Sequence, residues 1–183
     1  MDQPNAFFSA FASRPRPSDA DLLEAVNGYP EREQARDLLS TRQPAELTVE
    51  ELRSIVGGNL FLLKPSAFLY FLPAILTAIT VDYPALTVIT SELLDLLAPP
   101  AQGDSHRSGV GLADETAGLS RSLKPQLLDS GILAERFTAR VDGVSREEAR
   151  AILLFLEQLR DRYGEDFPDG AIDKAIAYWE RSG

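Results

Sequence analysis

The sequence predicts an all-α domain, and three observations predict it. Thr48-Val49-Glu50-Glu51 and Ser145-Arg146-Glu147-Glu148 are both reciprocal capping boxes, in which a hydroxyl residue and a glutamate three positions on satisfy backbone amides at a helix start. Behind the second box, Ala149, Ile152, Leu153, Leu156 and Leu159 recur at helical spacing. No stretch of strand length alternates apolar with polar residues, and no repeat of about 20 to 50 residues is visible.

The organising element is Lys64 to Asp82, between whose ends no residue carries a charge. At 3.6 residues per turn, Ala67, Phe68, Phe71, Ile75, Ala78 and Ile79 form one stripe, and Leu69, Leu72, Leu76 and Val81 make another face apolar. Such a helix needs cover nearly all round and belongs at the centre of the molecule. A membrane span is the competing use. It needs about 20 apolar residues, and Ser66, Thr77 and Thr80 interrupt this shorter run. Pro73 lacks an amide hydrogen and its ring crowds the carbonyl of Leu69, so it should bend the helix or divide it.

The other elements follow in order. Phe7, Phe8 and Phe11 precede Arg14-Pro15-Arg16-Pro17, whose prolines enforce extended chain, so residues 1–17 are expected to be an extended segment docked through its aromatics. Ser18 or Asp19 can cap a short helix bearing Leu22, Leu23 and Val26, ended by Asn27-Gly28. Pro30 opens a helix carrying Ala35, Leu38 and Leu39. The helix after Thr48 should run through Val56 and stop at Gly57-Gly58-Asn59; Leu60 to Leu63 then link it to Pro65, a first-turn proline. Tyr83-Pro84 ends the central helix, and the chain resumes at Ala85 with Leu86, Ile89, Leu93, Leu94, Leu96 and Leu97. Residues 101–111, which include the single histidine, His106, have no apolar period and read as a flexible loop. Ala113 to Arg140 reads as two short helices, because Pro125 and Gly131 interrupt any single long one. Gly164 ends the helix that starts at Ser145, and Asp169 can cap the last, whose buried stripe is Ile172, Ala175, Ile176 and Trp179. Residues 1–183 thus read as a single helical domain.

A chain of 183 residues with 44% hydrophobic content can bury a core without disulfides or metal. The absence of cysteine excludes disulfides, thiolate zinc sites, iron–sulfur clusters and a cysteine nucleophile, and cytoplasm is the default compartment. The N-terminus lacks the basic and apolar regions of a secretory signal. Eighteen Lys and Arg against 28 Asp and Glu give a net charge of −10, which repels phosphate backbones and makes nucleic acid an unsuitable ligand. The same charge speeds encounter with a basic protein, and it also serves solubility.

From Leu62 to Ala74 the chain resembles an uncharacterised family of small bacterial helical proteins with a Pro-x-Ala-Phe-x-Tyr-x-Leu-Pro-Ala core. Pro65, Ala67, Phe68, Tyr70, Leu72, Pro73 and Ala74 match that core, whereas Lys64, Ser66, Leu69 and Phe71 depart from the family's residues. Phe155-Leu156, Ala175 and Tyr178-Trp179 are similar to the family's final helices, and the stretch from Pro99 to Val144 has no counterpart. The resemblance implies the helical architecture and carries no known reaction.

Catalytic constellations are missing. One histidine and no cysteine exclude the familiar zinc patterns, and neither an EF-hand order nor a Glu-x-x-His pair occurs, so neither metal nor cofactor is expected. Glu92 and Asp95 share a helical face and read as solvated surface. His106 beside Ser105 and Ser108 reads as a loop residue, because neighbours in a flexible loop are not held for attack. Gly109-Val110-Gly111 lacks the ending of a phosphate loop. Asp161 to Asp173 places five carboxylates against Arg162, a local charge of −4. Asp169 is explained by capping, which leaves Asp161, Glu165, Asp166 and Asp173 as candidate partner-binding residues. The expectation is a non-catalytic protein-binding domain, in its sharpest form an immunity protein or inhibitor that covers a basic toxin or effector. The alternative is an enzyme or small-molecule binder with a cleft beside the Pro73 kink, using Tyr70.

Overall fold

The computed structural model describes residues 3–25, 30–100, 130–167 and 169–182. These residues form an all-α assembly of eight helices: α1 (Gln3–Ala10), α2 (Pro30–Thr41), α3 (Val49–Glu51), α4 (Pro65–Val81), α5 (Thr87–Leu97), α6 (Ser130–Val141), α7 (Arg146–Tyr163) and α8 (Ala171–Ser182). The expected 101–111 loop and any helix between 113 and 129 lie outside the described residues.

α4 is the centre. Eleven of its 17 residues are buried, and it packs against α1, α6, α7 and the 3-10 turn Pro44–Glu46. Both apolar stripes are covered as their spacing predicts, except at the C-terminal end, where Val81 is 69% exposed. Pro73 does not divide the helix, which runs unbroken from Pro65 to Val81 with Pro73 itself buried. Packing on both sides of that turn holds it in place although the Leu69 carbonyl loses its helical donor. No helix among the described residues is long and apolar enough to cross a membrane.

The N-terminal segment corrects the expectation of extended chain. Residues 3–10 are helical, and only from Arg14 do the prolines impose open backbone. The aromatics decide this, because a helix brings Phe7 against the Phe155 ring at 6.3 Å and leaves Phe7 and Phe11 at 0% and 4% exposure. Arg14 then ties the segment down, its Nε and Nη2 donating to the two carboxylate oxygens of Glu148 at 2.5 and 2.7 Å, and Nη2 also to the Gly143 carbonyl. Arg16 donates to the Ser40 carbonyl at the end of α2.

At Leu22 and Leu23 the expected helix is replaced by a 3-10 turn, Asp19–Asp21, followed by an isolated antiparallel bridge between Leu23 and Leu63, while Val26 and the Asn27-Gly28 stop lie outside the described residues. Leu62 and Lys64 supply the backbone partners: Glu24 N–H donates to the Leu62 carbonyl at 2.8 Å and Lys64 N–H to the Leu22 carbonyl at 3.1 Å. Leu22 and Leu23 are buried by this pairing.

Both capping boxes form, with Glu51 N–H donating to Thr48 Oγ1 and Glu148 N–H to Ser145 Oγ. Beyond Glu51 the helix widens into a π-helical turn, Leu52–Val56, closed by Gly57 N–H to the Leu52 carbonyl at 2.7 Å. The stop at Gly57-Gly58 has a steric basis. A Cβ on Gly57 would lie 3.0 Å from the Arg53 carbonyl oxygen, and Gly58 has φ +81°. Gly131 lies inside α6 rather than interrupting it, because its place in the first turn limits the penalty of its freedom.

Candidate functional site

The four candidate carboxylates gather where α7 turns into α8. α7 passes into a 3-10 turn, Gly164–Asp166, and Phe167 N–H closes it on the Gly164 carbonyl. Gly170, at φ +71°, reverses the chain, and the Asp169 carboxylate accepts from Ala171 N–H at 3.1 Å as its capping role predicts. Asp161 on the last turn of α7, Glu165 and Asp166 on the 3-10 turn and Asp173 on the first turn of α8 are all exposed.

They are not equivalent. Arg160 reaches both sides of the corner, with Nε 3.7 Å from Asp161 and Nη1 3.9 Å from Asp173, so its charge offsets part of theirs. Asp166 accepts a 2.8 Å hydrogen bond from the Tyr83 hydroxyl. Tyr83 is 5% exposed, stacked on Tyr163 at 3.9 Å between centroids and edge-on to Phe167 at 6.3 Å. Burial, then the Asp166 carboxylate, pushes its pKa up to about 12, so the hydroxyl remains a donor near neutral pH. Glu165 has no ion pair among the described residues. Asp166 is therefore a structural residue as well as a surface charge, which its place in sequence did not reveal.

A shallow depression lies between the end of α4 and α7, lined by Ile79, Thr80, Phe155, Gln158, Arg162 and Tyr163. Its volume of about 10 Å³ admits a single water at most, and it lies at Ile79–Thr80 rather than at the buried Pro73. Tyr70 is half-buried with its ring edge-on to Phe71 at 4.9 Å. His106, Ser105 and Ser108 lie outside the described residues. Among the described residues no group of three or more acidic or histidine side chains is placed to hold a metal ion.

Glu92 is not solvated surface. It is half-buried, and its carboxylate accepts from Gly58 N–H at 2.9 Å, anchoring the turn that ends the π-helical segment. Two further polar contacts escaped sequence reasoning. Glu148 is 2% exposed, and Arg14 reaches it from 134 positions away, a pairing no local signal announces. Arg140, 5% exposed, donates to the Phe61 carbonyl at 3.2 Å and lies over the Phe68 ring at 5.7 Å. Burial, reinforced by Arg136 and opposed by Glu24, pulls its pKa down to about 10, which leaves it charged at neutral pH. Comparison of the chain with protein-family models, with curated proteins and with solved structures gives no match.

Proposed function

We propose that the chain is a non-catalytic protein-binding domain whose α7–α8 corner receives a basic partner, with an immunity protein or inhibitor of a basic toxin or effector as the specific form. The observation that carries this reading is the placing of exposed Asp161, Glu165, Asp166 and Asp173 at the corner where α7 passes into α8, in a chain with net charge −10. Charges gathered on one surface steer an oppositely charged protein during encounter and raise its association rate.

The test compares partners captured from the host lysate by the wild-type chain and by Asp161→Lys/Glu165→Lys/Asp173→Lys. Asp166 is left intact because it holds Tyr83. The expected result is a partner retained by the wild type and lost by the variant, whose association slows as salt shortens the Debye length to about 10 Å at 0.1 M. Exposed substitutions of this kind change stability by about 0.5 kcal/mol or less each, so a matching melting curve separates binding from folding. Capture of the same proteins by both chains, at rates indifferent to salt, would sink the proposal.

A further inference from the structure

Among the described residues the exposed large hydrophobic side chains are Val81, Val88 and Leu154, at 69%, 51% and 39%. Two of the three flank one turn, the 3-10 segment Tyr83–Leu86 between α4 and α5, where Pro84 is exposed as well. Single exposed aliphatics are ordinary on a protein surface; these two stand on either side of the same turn. That corner is fastened to the acidic one. Tyr83 stacks on Tyr163 and donates to Asp166, and Val81, two residues before it, lies within about 7 Å of Tyr83 along the chain. The same contacts set the turn that carries Asp82 and Tyr83 against the one that carries Glu165 and Asp166, with Arg162 as a cation lining the nearby depression.

We propose that the Val81–Val88 corner is the apolar anchor of the partner site, and that it takes a protein segment carrying an aliphatic side chain flanked by lysine or arginine. This rests on the reading of the α7–α8 corner as a partner surface and specifies what that surface recognises. Charge complementarity selects the occupant: exposed apolar positions beside a turn fastened to Asp166, next to the exposed Glu165, in a chain of net charge −10, favour a cationic amphipathic segment over an acidic or neutral one.

The test uses two labelled synthetic peptides of equal charge, one with leucines at i, i+3, i+4 and i+7 and lysines on the opposite helical face, and one with serine in place of leucine. Each is titrated by fluorescence anisotropy against the wild type, Val81→Ser/Val88→Ser, Asp161→Lys/Glu165→Lys, and Glu33→Lys on α2 as a remote charge control. The leucine peptide is expected to bind wild type at least about fivefold more tightly than the serine peptide, and the valine variant to erase that difference. The Asp161/Glu165 variant should weaken both peptides, more than the Glu33 variant does. Unchanged leucine-peptide binding by the valine variant would overturn the apolar anchor while leaving the acidic surface standing; indifference to the Asp161/Glu165 changes as well would remove both. A wild-type dimer in sedimentation that the valine variant converts to monomer would also overturn the proposal, assigning the corner to a second copy. Val88→Ser alone repeats the measurement should the double variant melt early.

Discussion

Replacing Glu148 by alanine is expected to lower unfolding free energy by about 3 kcal/mol, near the low end for breaking a buried ion pair because Arg14 retains 22% exposure. The substitution removes the two carboxylate acceptors of Arg14, leaving it the Gly143 carbonyl, and the acceptor of Ser145 N–H. It therefore loosens the N-terminal segment and the start of α7 together. Arg14→Ala should cost a similar amount by leaving the carboxylate with its backbone donor alone, and the double variant should cost less than the two added, which a double-mutant cycle in urea measures. Simple additivity would show that the pair is not coupled.

The same pair sets a pH dependence. Burial by itself would raise the Glu148 pKa, but the Arg14 guanidinium and the Ser145 amide outweigh it and hold the carboxyl below the ordinary value of 4.5. A folded pKa below the unfolded one means the contribution is complete above 4.5 and is lost as pH falls through the folded value. The stability gap between wild type and Glu148→Ala should therefore be constant from pH 8 to about pH 5 and narrow below about pH 4.

Helices whose signals are local were legible. The Ser145 and Thr48 boxes, the Pro65 start and the buried stripe through Trp179 depend on residues within a few positions, and each forms as its spacing predicts. Elements decided by distant contacts were not. The Leu22–Leu23 segment has helical spacing, yet backbone groups of Leu62 and Lys64 capture it into a bridge. Phe7 lies in a short helix because Phe155 awaits it, and the proline run that follows carries no information about that ring.

The site divides the same way. The exposure of Glu165 and Asp166 was readable from the Gly164 break they follow, and that of Asp161 and Asp173 from the excess of charge around them. That Arg160 stands between two of them and that Asp166 holds Tyr83 depends on how α7 and α8 meet and on where the α4–α5 turn lands. Val81 belongs to an apolar face by spacing and is exposed because α4 ends there, before the packed surface of the bundle reaches it.

Replacing Leu72 by alanine should lower stability by about 2–5 kcal/mol, the range for emptying a leucine site in a packed interior. Leu72 is 0% exposed on α4, next to Pro73, where the backbone already lacks one helical hydrogen bond. Neighbouring helices hold that turn in place, so the walls of the cavity collapse only in part and the upper half of the range is expected. A loss of about 4 kcal/mol in a chain of 183 residues lowers the melting temperature by roughly 8–16 °C. Urea unfolding should show a lower midpoint with an unchanged slope, since the surface exposed on unfolding is nearly the same. Val81→Ala is the internal control: at 69% exposure, on the same helix, it should stay within about 0.5 kcal/mol of wild type. Equal effects at the two positions would mean that α4 is not the covered centre of the fold.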